Sequence, residues 1–315
     1  MDGLAAVAPP VVAIVGPTAA GKSALALALA RERDGEIVCC DSLQVYRGLD
    51  IGSAKATAEE QAAVRHHLLD VVEPDQAFSA AEYSRRGRAA LADIAARGRL
   101  AVVAGGTGLY LRALLHGLFE GPSRDEPLRG RLEGIAARWG DHRLHRMLAA
   151  VDPAAAARIA PRDRVRVVRA LEVFRSTRRP ISEHHREHHG GGADPLRGHD
   201  VLVLGLDPPR EALRAAVERR TAEMLARGLQ DEVEGLLDRG YAADLRPLRA
   251  IGYRQAVALV RGEMEADHAR RAIVAETMRY AKRQMTWFRN QTQATWFPSA
   301  GAALAAARAW LDARA

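Results

Sequence analysis

One glycine-rich stretch near the start of the chain carries the residue types that bind phosphate. It reads Gly16-Pro17-Thr18-Ala19-Ala20-Gly21-Lys22-Ser23 and fits the pattern G-x-x-x-x-G-K-[ST]. In such a loop, backbone N–H groups and a helix N-terminus point at anionic oxygens. The Lys22 ammonium adds a positive charge, and the Ser23 hydroxyl can bind Mg²⁺. We therefore expect this loop to bind phosphate, and more specifically a diphosphate. The motif does not say which molecule carries the diphosphate.

A carboxylate directly follows the second predicted strand. Asp41 comes after the β-rich run 36–40. Across from a phosphate loop, such a carboxylate can hold Mg²⁺ or act as a general base. The alternative role for Asp41 is that of a helix N-cap or turn residue. Nearby, Gln44 can read the edge of a base, unless it is buried and bonded to its own backbone. Arg47 and Lys55 can meet phosphate.

A second glycine-rich turn, Gly105-Gly106-Thr107-Gly108-Leu109-Tyr110, leads from a strand into a helix. Its amides and the Thr107 hydroxyl could reach the phosphate held by Lys22, although a purely structural turn explains the same glycines. Arg219 and Arg220 lie on a later predicted helix. Either side chain could turn toward the phosphate, or both could be solvated.

Strand and helix patterns alternate around these residues. In chain order the patterns are strand 11–15, helix 24–33, strand 36–40, strand 68–72, helix 80–97 and strand 100–104. This alternation predicts an α/β fold, with a P-loop NTPase-like parallel sheet flanked by helices. Ligands of such sheets bind at the carboxyl ends of the strands, so Gly16–Ser23, Asp41-Ser42 and Gly105–Tyr110 should converge on one crevice.

The pattern changes after residue 116. Between 117 and 199 the strand signals vanish and Arg-rich helical stretches dominate, until a buried strand returns at 201–206. The simplest account is a P-loop α/β catalytic core formed by 1–116 and 200–315, interrupted by an all-helical insertion domain at 117–199. The rest of the chain is helical, apart from a short strand pattern at 295–297.

Two helical stretches are strongly basic. In the first, only Asp163 and Glu172 oppose a run of arginines, which are Arg162, Arg164, Arg166, Arg169, Arg175, Arg178 and Arg179. The second is 279–289, where we expect Trp287 and Phe288 in the core. The residues that share its basic face are Arg279, Lys282, Arg283 and Thr286. Charge of one sign suits a phosphate backbone, so the two helices suggest a groove that grips RNA from both sides.

The composition is that of a globular protein with a polyanionic partner. Of the 315 residues, 27% are charged and 48% are hydrophobic, and the formal net charge is +7. Cys39 and Cys40 are adjacent, where a disulfide would be strained. We therefore expect two reduced, mostly buried thiols in a cytoplasmic protein. We also expect no signal peptide and no membrane span, since no apolar run is long enough.

Two stretches contain neighbouring histidines. His66-His67 precede a strand, where packing or capping of a helix end explains them better than metal binding. The stretch 184–189 has an i,i+4 spacing that could grip a metal, but it lacks cysteine and a carboxylate cluster and runs into three glycines. We expect it to be a solvated, mobile loop.

Signatures of other P-loop classes are missing. No N-K-x-D guanine motif follows the loop, which argues against a GTPase, and no apolar run ends in a D-E pair as in a motor ATPase. The phosphate loop therefore predicts a transferase.

Taken together, these residues resemble the tRNA dimethylallyltransferase family over nearly the whole chain. The resemblance rests on several ordered blocks rather than on the phosphate loop alone. The blocks are GPTAAGKS at 16–23, DSLQVYRGLDIGSAK at 41–55, HHLLD at 66–70, GGTGLY at 105–110, RVVRALEVF at 166–174, MLARGLQDEV at 224–233, AIGYRQ at 250–255 and AKRQMTWFR at 281–289.

The resemblance implies transfer of a dimethylallyl group from dimethylallyl diphosphate to N6 of adenosine 37 in tRNA, with release of diphosphate. It implies that Asp41 removes the N6 proton, because the delocalised amino lone pair attacks only as that proton leaves. Lys22, Mg²⁺ on Ser23, and Arg220 would stabilise the leaving diphosphate. Thr107 would touch the bridging oxygen.

By similarity, Thr18 lines the diphosphate pocket, and the insertion domain grips the anticodon stem-loop, from which adenosine 37 is turned out of its stack. The residues implied in tRNA binding are Asp41, Ser42, Leu43, Gln44, Thr107, Arg129, Val165, Arg166, Val167, Val168, Arg169, Arg249, Ala250, Ile251, Gly252, Tyr253, Arg254, Lys282, Arg283, Gln284 and Arg289. Ala216 departs from a position that is often basic, while Ser23 and Ser53 replace common threonines. The chain resembles the short bacterial form without a C-terminal zinc finger, and we expect a monomer.

Three other functions remain open at this point. An adenylate isopentenyltransferase shares the fold and the donor but acts on a free nucleotide, which needs no basic insertion. A small-molecule P-loop kinase would need an ATP base pocket and a lid. An RNA-binding module that uses phosphate only structurally would leave the convergence of Asp41, Thr107 and Lys22 without a purpose.

Overall fold

The computed structural model describes residues 8–119, 121–191, 196 and 199–314. The chain divides into two compact units. The larger, which we call the core unit, consists of Met1–His116 and Leu196–Ala315, and the smaller, the insertion unit, is Gly117–Pro195.

A parallel sheet forms the centre of the core unit. Its strands are β1 (Ala8–Val15), β2 (Glu36–Cys39), β3 (His66–His67), β4 (Ala101–Ala104), β5 (His199–Leu206) and β6 (Thr295–Phe297). They lie in the order β3-β2-β4-β1-β5-β6, and every neighbouring pair is parallel. This P-loop NTPase-like sheet confirms the predicted fold class.

Helices connect the strands and cover the sheet. In chain order they are α1 (Lys22–Glu32), α2 (Ala58–Ala63), α3 (Ala80–Ala96), α4 (Gly108–His116), α5 (Glu126–Trp139), α6 (Asp141–Val151), α7 (Pro153–Arg158), α8 (Arg164–Thr177), α9 (Ile181–Gly191), α10 (Arg210–Ala226), α11 (Leu229–Asp238), α12 (Tyr253–Val260), α13 (Ala266–Gln291) and α14 (Ala300–Asp312). Helices α5 to α9 form the insertion unit, and the others belong to the core unit.

The sheet of the core unit is buried on both faces. Successive residues of β1 point to opposite sides, so that Val11 and Ala13 belong to one apolar cluster and Val12 and Ile14 to another. The first cluster includes side chains of α3, α4, α11, α12 and α13, and the second includes side chains of α1 and α14. The loop after β1 therefore starts from a rigid, fully packed strand.

The insertion unit has a core of its own, to which all five of its helices contribute apolar side chains. The Glu172 carboxylate of α8 is also fully buried there. Arg129 donates to its two oxygens at 2.8 and 2.9 Å, and Arg169 donates at 2.6 Å. Burial by itself would raise the pKa of Glu172, but these bonds and one from the Asp125 amide lower it to about 2. The insertion is thus organised around a neutralised internal charge.

The predicted strand at 68–72 is wrong. The strand in this part of the chain is His66–His67, and Val72 forms only an isolated bridge with Tyr46. Leu68 and Asp70 have φ angles of 65° and 52°. This left-handed conformation cannot continue a strand, and the apolar side chains of the segment are accommodated in a folded turn instead.

The predicted loop at 184–189 is also wrong. These residues belong to helix α9, which continues to Gly191. His184 stacks on Phe119 with ring centroids 4.5 Å apart, and its Nε2 lies 3.2 Å from the Thr177 hydroxyl. Packing within the insertion unit therefore outweighs the low helix propensity of the histidine and glycine residues.

Candidate active site

The phosphate loop joins the end of β1 to the beginning of α1. Gly16 has φ of 139°, and a Cβ at this position would lie 2.6 Å from the Leu206 carbonyl oxygen of β5, so only glycine fits. Gly21, with φ of 89°, caps α1 without a side-chain hydrogen bond, and the first turn contains no acidic residue. The amides of this turn have no intrahelical acceptor and are open to an anion.

Lys22 begins α1 and bonds back to its own loop. Its Nζ donates to the Pro17 carbonyl at 2.7 Å. Burial, and then repulsion from Arg220, lower the pKa of Lys22 to about 8, although Asp41 opposes this shift. An anion bound here would stabilise the protonated form, so diphosphate binding should be coupled to the charge of Lys22.

Arg220, on α10, reaches the phosphate loop from the other side. Its Nη1 donates to Thr18 Oγ1 at 3.2 Å, and its Nη2 lies 3.4 Å from the Ser53 carbonyl. Burial lowers the pKa of Arg220, while the Asp41 carboxylate acts in the opposite direction. Of the two neighbouring arginines, the sequence left open which one faces the site. The structure brings Arg220 to it and leaves Arg219 exposed on the surface, beside Glu223.

Asp41 is tied to the second glycine-rich turn. Its Oδ1 accepts the Leu43 N–H at 2.8 Å, and the next amide, that of Ser42, donates to Thr107 Oγ1 at 3.0 Å. The Thr107 amide donates back to the Cys40 carbonyl at 3.1 Å. These bonds hold the segments after β2 and β4 together at the carboxyl end of the sheet.

A cavity of about 380 Å³ opens where these segments meet. Thr18, Asp41 and Arg220 line it together with an apolar wall that includes Phe78, Tyr110, Val217, Met224 and Ile273. Among the described residues, its lining contains four arginines and a single carboxylate; the arginines are Arg220, Arg246, Arg249 and Arg283. Lys22 and Thr107 are not among the lining residues, but each bonds to a segment that is. The cavity therefore combines positively charged groups that can bind an anion, an apolar wall and one carboxylate that can act as a base.

A loop at 50–53 forms part of the cavity wall. It is held by Glu232, which sequence reasoning missed, and by Tyr253, which the resemblance implied in tRNA binding instead. Glu232 of α11 accepts the amides of Asp50 at 3.0 Å and of Ile51 at 2.7 Å, and also the Tyr253 hydroxyl at 2.8 Å. The Tyr253 oxygen in turn accepts the Ser53 amide at 3.1 Å. No local signal pairs Glu232 with a loop about 180 residues away, so only the fold reveals this contact.

Gln44 was expected to read a base or to be bonded to its own backbone. Its Nε2 donates to the carbonyls of Ser53 and Ala54 at 3.2 and 3.1 Å. The amide nitrogen is therefore used within the protein, and the described contacts leave Oε1 as the remaining polar atom of this side chain. Lys55, expected to meet phosphate, is instead buried and paired with Asp50 and Asp70.

Several residues of the core unit that the resemblance implied in tRNA binding have protein partners. Tyr253 is fully buried, and Gly252 caps α12 with φ of 93°. Arg254 pairs with Glu276, and Arg289 pairs with Asp207. Others stay at the cavity, namely Ser42, Leu43, Arg249, Ala250, Ile251 and Arg283. Lys282 lies in a second groove, between α10 and α13.

In the insertion unit, the implied tRNA contacts divide in the same way. Val167 and Val168 are buried in the core of the unit, and Arg129 and Arg169 bond to Glu172. By contrast, Val165 is 75% exposed, which is unusual for a large apolar side chain. Arg166 is also exposed and has only a 3.3 Å contact with Asp163. The solvent-facing part of the predicted set is therefore Val165 and Arg166.

A family model described as IPP transferase matches residues 44–291. The chain belongs to the IPP transferase family. The matched segment runs from the loop after β2 to the end of α13 and includes the whole insertion unit. The phosphate loop lies before it.

Relatives and solved structures agree with this assignment. The chain is 48% identical over 291 residues to tRNA dimethylallyltransferase 2 of Geotalea daltonii, covering 92% of this chain and 88% of the relative. In sequence it is 39% identical to a tRNA isopentenylpyrophosphate transferase from Bacillus halodurans whose crystal structure is known. The two structures match with a TM-score of 0.65 over 91% of this chain and 89% of the other. A eukaryotic dimethylallyltransferase acting on tRNA has a TM-score of 0.75 at 25% identity, covering 89% of this chain and 70% of its own.

The family generally needs a divalent metal, and the loop fits one. Ser23 lies exposed in the first turn of α1, beside the open amides. Among the described residues, no group of three or more histidine, cysteine or acidic side chains could hold a metal. Cations such as Mg²⁺ often bind through one or two protein oxygens plus phosphate oxygens and water, and the Ser23 hydroxyl supplies one such oxygen.

None of the helices in the described ranges is both long enough and apolar enough to cross a membrane. The two cysteines, Cys39 and Cys40, are free and buried, as expected. Burial raises the pKa of the Cys40 thiol to about 12.

Proposed function

We propose that this protein transfers a dimethylallyl group from dimethylallyl diphosphate to N6 of adenosine 37 in tRNA. The observation that carries the proposal is that Asp41, Thr18 and Arg220 line one cavity, next to the open amides of α1. A carboxylate and an anion seat in a shared cavity suit a reaction that removes a proton from one substrate and a diphosphate from the other. Curated relatives named tRNA dimethylallyltransferase support this choice of substrates.

The chemistry assigns one role to Asp41. The adenine N6 forms a bond to C1 of the dimethylallyl group while the bond from C1 to the diphosphate oxygen breaks. The diphosphate leaves with the electron pair of that bond, and the Asp41 carboxylate takes the N6 proton. The Leu43 amide on Oδ1 fixes the orientation of the carboxylate for this step.

The residues around the phosphate loop would hold the donor. The amides of Gly21, Lys22 and Ser23 would bind the diphosphate at the N-terminus of α1, and Lys22 and Arg220 would add positive charge where negative charge grows. A Mg²⁺ ion on the Ser23 hydroxyl would neutralise further charge on the leaving group. The apolar cavity wall, with Val217 and Ile273, would receive the dimethylallyl group.

The arginines of the cavity and of the insertion would hold the RNA. Arg249 and Arg283 line the cavity and can meet phosphates beside an extruded adenosine. We assign the grip on the anticodon stem-loop to the insertion domain, 117–199, because α8 presents Arg166 and the exposed Val165 to solvent. A free nucleotide would not need such a surface.

Incubation with labelled dimethylallyl diphosphate and unmodified tRNA tests the proposal. We expect label in the nucleoside at position 37 after digestion, with an equal amount of diphosphate released. Two parallel reactions separate the alternatives. Label on free AMP but not on tRNA would favour an adenylate isopentenyltransferase, and phosphoryl transfer from ATP without prenylation would favour a kinase.

A further inference from the structure

The side chain of Gln284 joins the two glycine-rich turns of the site. Its Oε1 accepts the Thr18 amide of the phosphate loop at 2.9 Å, and its Nε2 donates to the Gly106 carbonyl at 2.8 Å. The residue lies on α13 and is 6% exposed. One amide group therefore bridges segments that follow β1 and β4.

Only an amide of this length satisfies both partners. The Thr18 N–H can only donate and the Gly106 carbonyl can only accept, so the bridging group must offer one acceptor and one donor. A glutamate has the same shape but would place a second acceptor against the Gly106 carbonyl. A buried carbonyl facing a carboxylate loses its hydrogen bond and adds repulsion.

The close contact between Gln284 and Gly106 fixes how near the second glycine-rich turn lies to α13. A Cβ built on Gly106 would lie 2.4 Å from Gln284 Nε2 and 3.8 Å from Lys22 Nζ. Any side chain at this position would therefore push the glutamine away and reach the lysine ammonium. The absence of a side chain lets the turn approach both groups.

The bridge also acts on the arginine of the site. Thr18, whose amide Gln284 holds, accepts a bond from Arg220 through its hydroxyl at 3.2 Å. Holding the Thr18 backbone thus fixes an acceptor for Arg220 as well as the position of the loop. Both polar atoms of Gln284 bond within the protein and the residue is buried, so its side chain is not placed to contact a nucleic acid.

We propose that Gln284 is a positioning residue of the diphosphate subsite, not an RNA contact. It fixes the spacing between the phosphate loop and the turn at Gly106, and through them the placement of Thr18, Arg220 and Lys22. The inference rests on the proposed function for the identity of the donor. Independently of that function, it predicts that the affinity for diphosphate, and not the affinity for tRNA, depends on Gln284.

Binding of two probes to Gln284→Glu tests this assignment. The probes are inorganic diphosphate with Mg²⁺, titrated by calorimetry, and unmodified tRNA, measured by filter binding. We expect diphosphate affinity to fall about tenfold or more, the size of one buried hydrogen bond, and tRNA affinity to change by less than about twofold. Gln230→Glu makes the same change at an exposed position of α11, outside the basic helices, and should leave both affinities unaltered.

A second variant approaches the bridge from its other end. Gly106→Ala places a methyl group against Nε2 and should reproduce the selective loss of diphosphate affinity. This variant tests the inference even if Gln284→Glu does not fold. Reduced tRNA affinity with unchanged diphosphate affinity in Gln284→Glu would overturn the inference, as would no change in either. Both probes bind without turnover, so a wild-type protein that binds diphosphate but fails to prenylate tRNA would refute the proposed function and not this assignment.

Discussion

At the scale of single residues, the site depends on a carboxylate held in place by backbone amides. Asp41 Oδ1 accepts the Leu43 N–H, and the adjacent Ser42 amide bonds to Thr107 Oγ1. These bonds position the segment before any substrate binds. Within the described part of the chain, no hydrogen bond is made to the second carboxylate oxygen, which is left for a proton. This arrangement suits a general base, which must be positioned before its basicity matters.

Replacing Asp41 with asparagine separates that role from substrate binding. Asparagine keeps an oxygen for the Leu43 amide but cannot take a proton, so we expect kcat to fall about 10²- to 10⁴-fold. The affinity for tRNA should stay within about twofold. Single-turnover transfer and filter binding measure the two quantities, and undiminished transfer would remove Asp41 from the role of base.

Lys22 predicts a pH dependence of donor binding. Burial, then Arg220, lower the pKa of Lys22 to about 8, so its charge is present below that pH and lost above it. The affinity for inorganic diphosphate should consequently decline as the pH rises through about 8, by up to about tenfold per unit. Calorimetric titrations between pH 6.5 and 9.5 (roughly the range that brackets this pKa) measure it. Lys22→Met serves as the control, because any pH dependence that remains in this variant comes from ionisation of the ligand. Identical profiles of affinity against pH for both proteins would contradict the prediction.

At the scale of elements, helices far along the chain hold the loops of the first strands. Glu232 of α11 and Tyr253 of α12 bind the loop at 50–53, and the Ser53 carbonyl in turn contacts Arg220. Gln284 of α13 holds Thr18. The part of the chain after the insertion therefore positions loops of the candidate active site that come from the part before it.

Tyr253→Phe tests the support given to the loop at 50–53. The variant loses the hydroxyl that links Glu232 to the Ser53 amide, which we expect to cost about 1–2 kcal/mol of unfolding free energy. The KM for dimethylallyl diphosphate should rise because Arg220 loses a fixed neighbour, whereas tRNA affinity should not change. Tyr241→Phe removes a hydroxyl bonded to Glu73 elsewhere and is the control. Weaker tRNA binding in Tyr253→Phe alone would favour a direct RNA contact.

The sequence predicted elements best where the pattern is local. The run into Gly16–Ser23 and the Ala/Leu-rich helix after it have the predicted form, and so do the strands at 100–104 and 295–297 with shifts of a residue at most. It failed at 68–72, because a positive φ at Leu68 is set by tertiary packing and not by side-chain pattern. It failed at 184–189 for the same reason, since the stacking of His184 on Phe119 joins distant residues.

The candidate site shows the same division between local and distant information. Motif spacing identified the phosphate loop and Asp41, and the family resemblance selected Arg220; the structure places all three at one cavity. Motif spacing could not predict hydrogen bonds between residues that are distant in the sequence. The buried Glu172 that engages Arg129 and Arg169, and the double hydrogen bond of Gln284, turn residues expected on the RNA surface into internal contacts.

At the scale of the whole molecule, the net charge of +7 predicts that the proposed tRNA binding depends on ionic strength. The logarithm of tRNA affinity should fall linearly with the logarithm of salt concentration, because each neutralised phosphate releases counterions. Arg166→Gln should reduce that slope by about one. Arg308→Gln removes an exposed arginine paired with Glu32 and should leave the slope unchanged. A flat salt response of the wild-type protein would contradict the assignment of the basic helices to RNA.

The most direct measurement is a crystal structure with both substrates present. An anticodon stem-loop containing adenosine 37 would be combined with an unreactive thiolodiphosphate analogue of the donor. The account predicts the diphosphate on the amides at the beginning of α1 and N6 about 3 Å from the Asp41 carboxylate, with C1 of the donor on its other side. Ligands seated in separate cavities, or an N6 out of reach of Asp41, would contradict it.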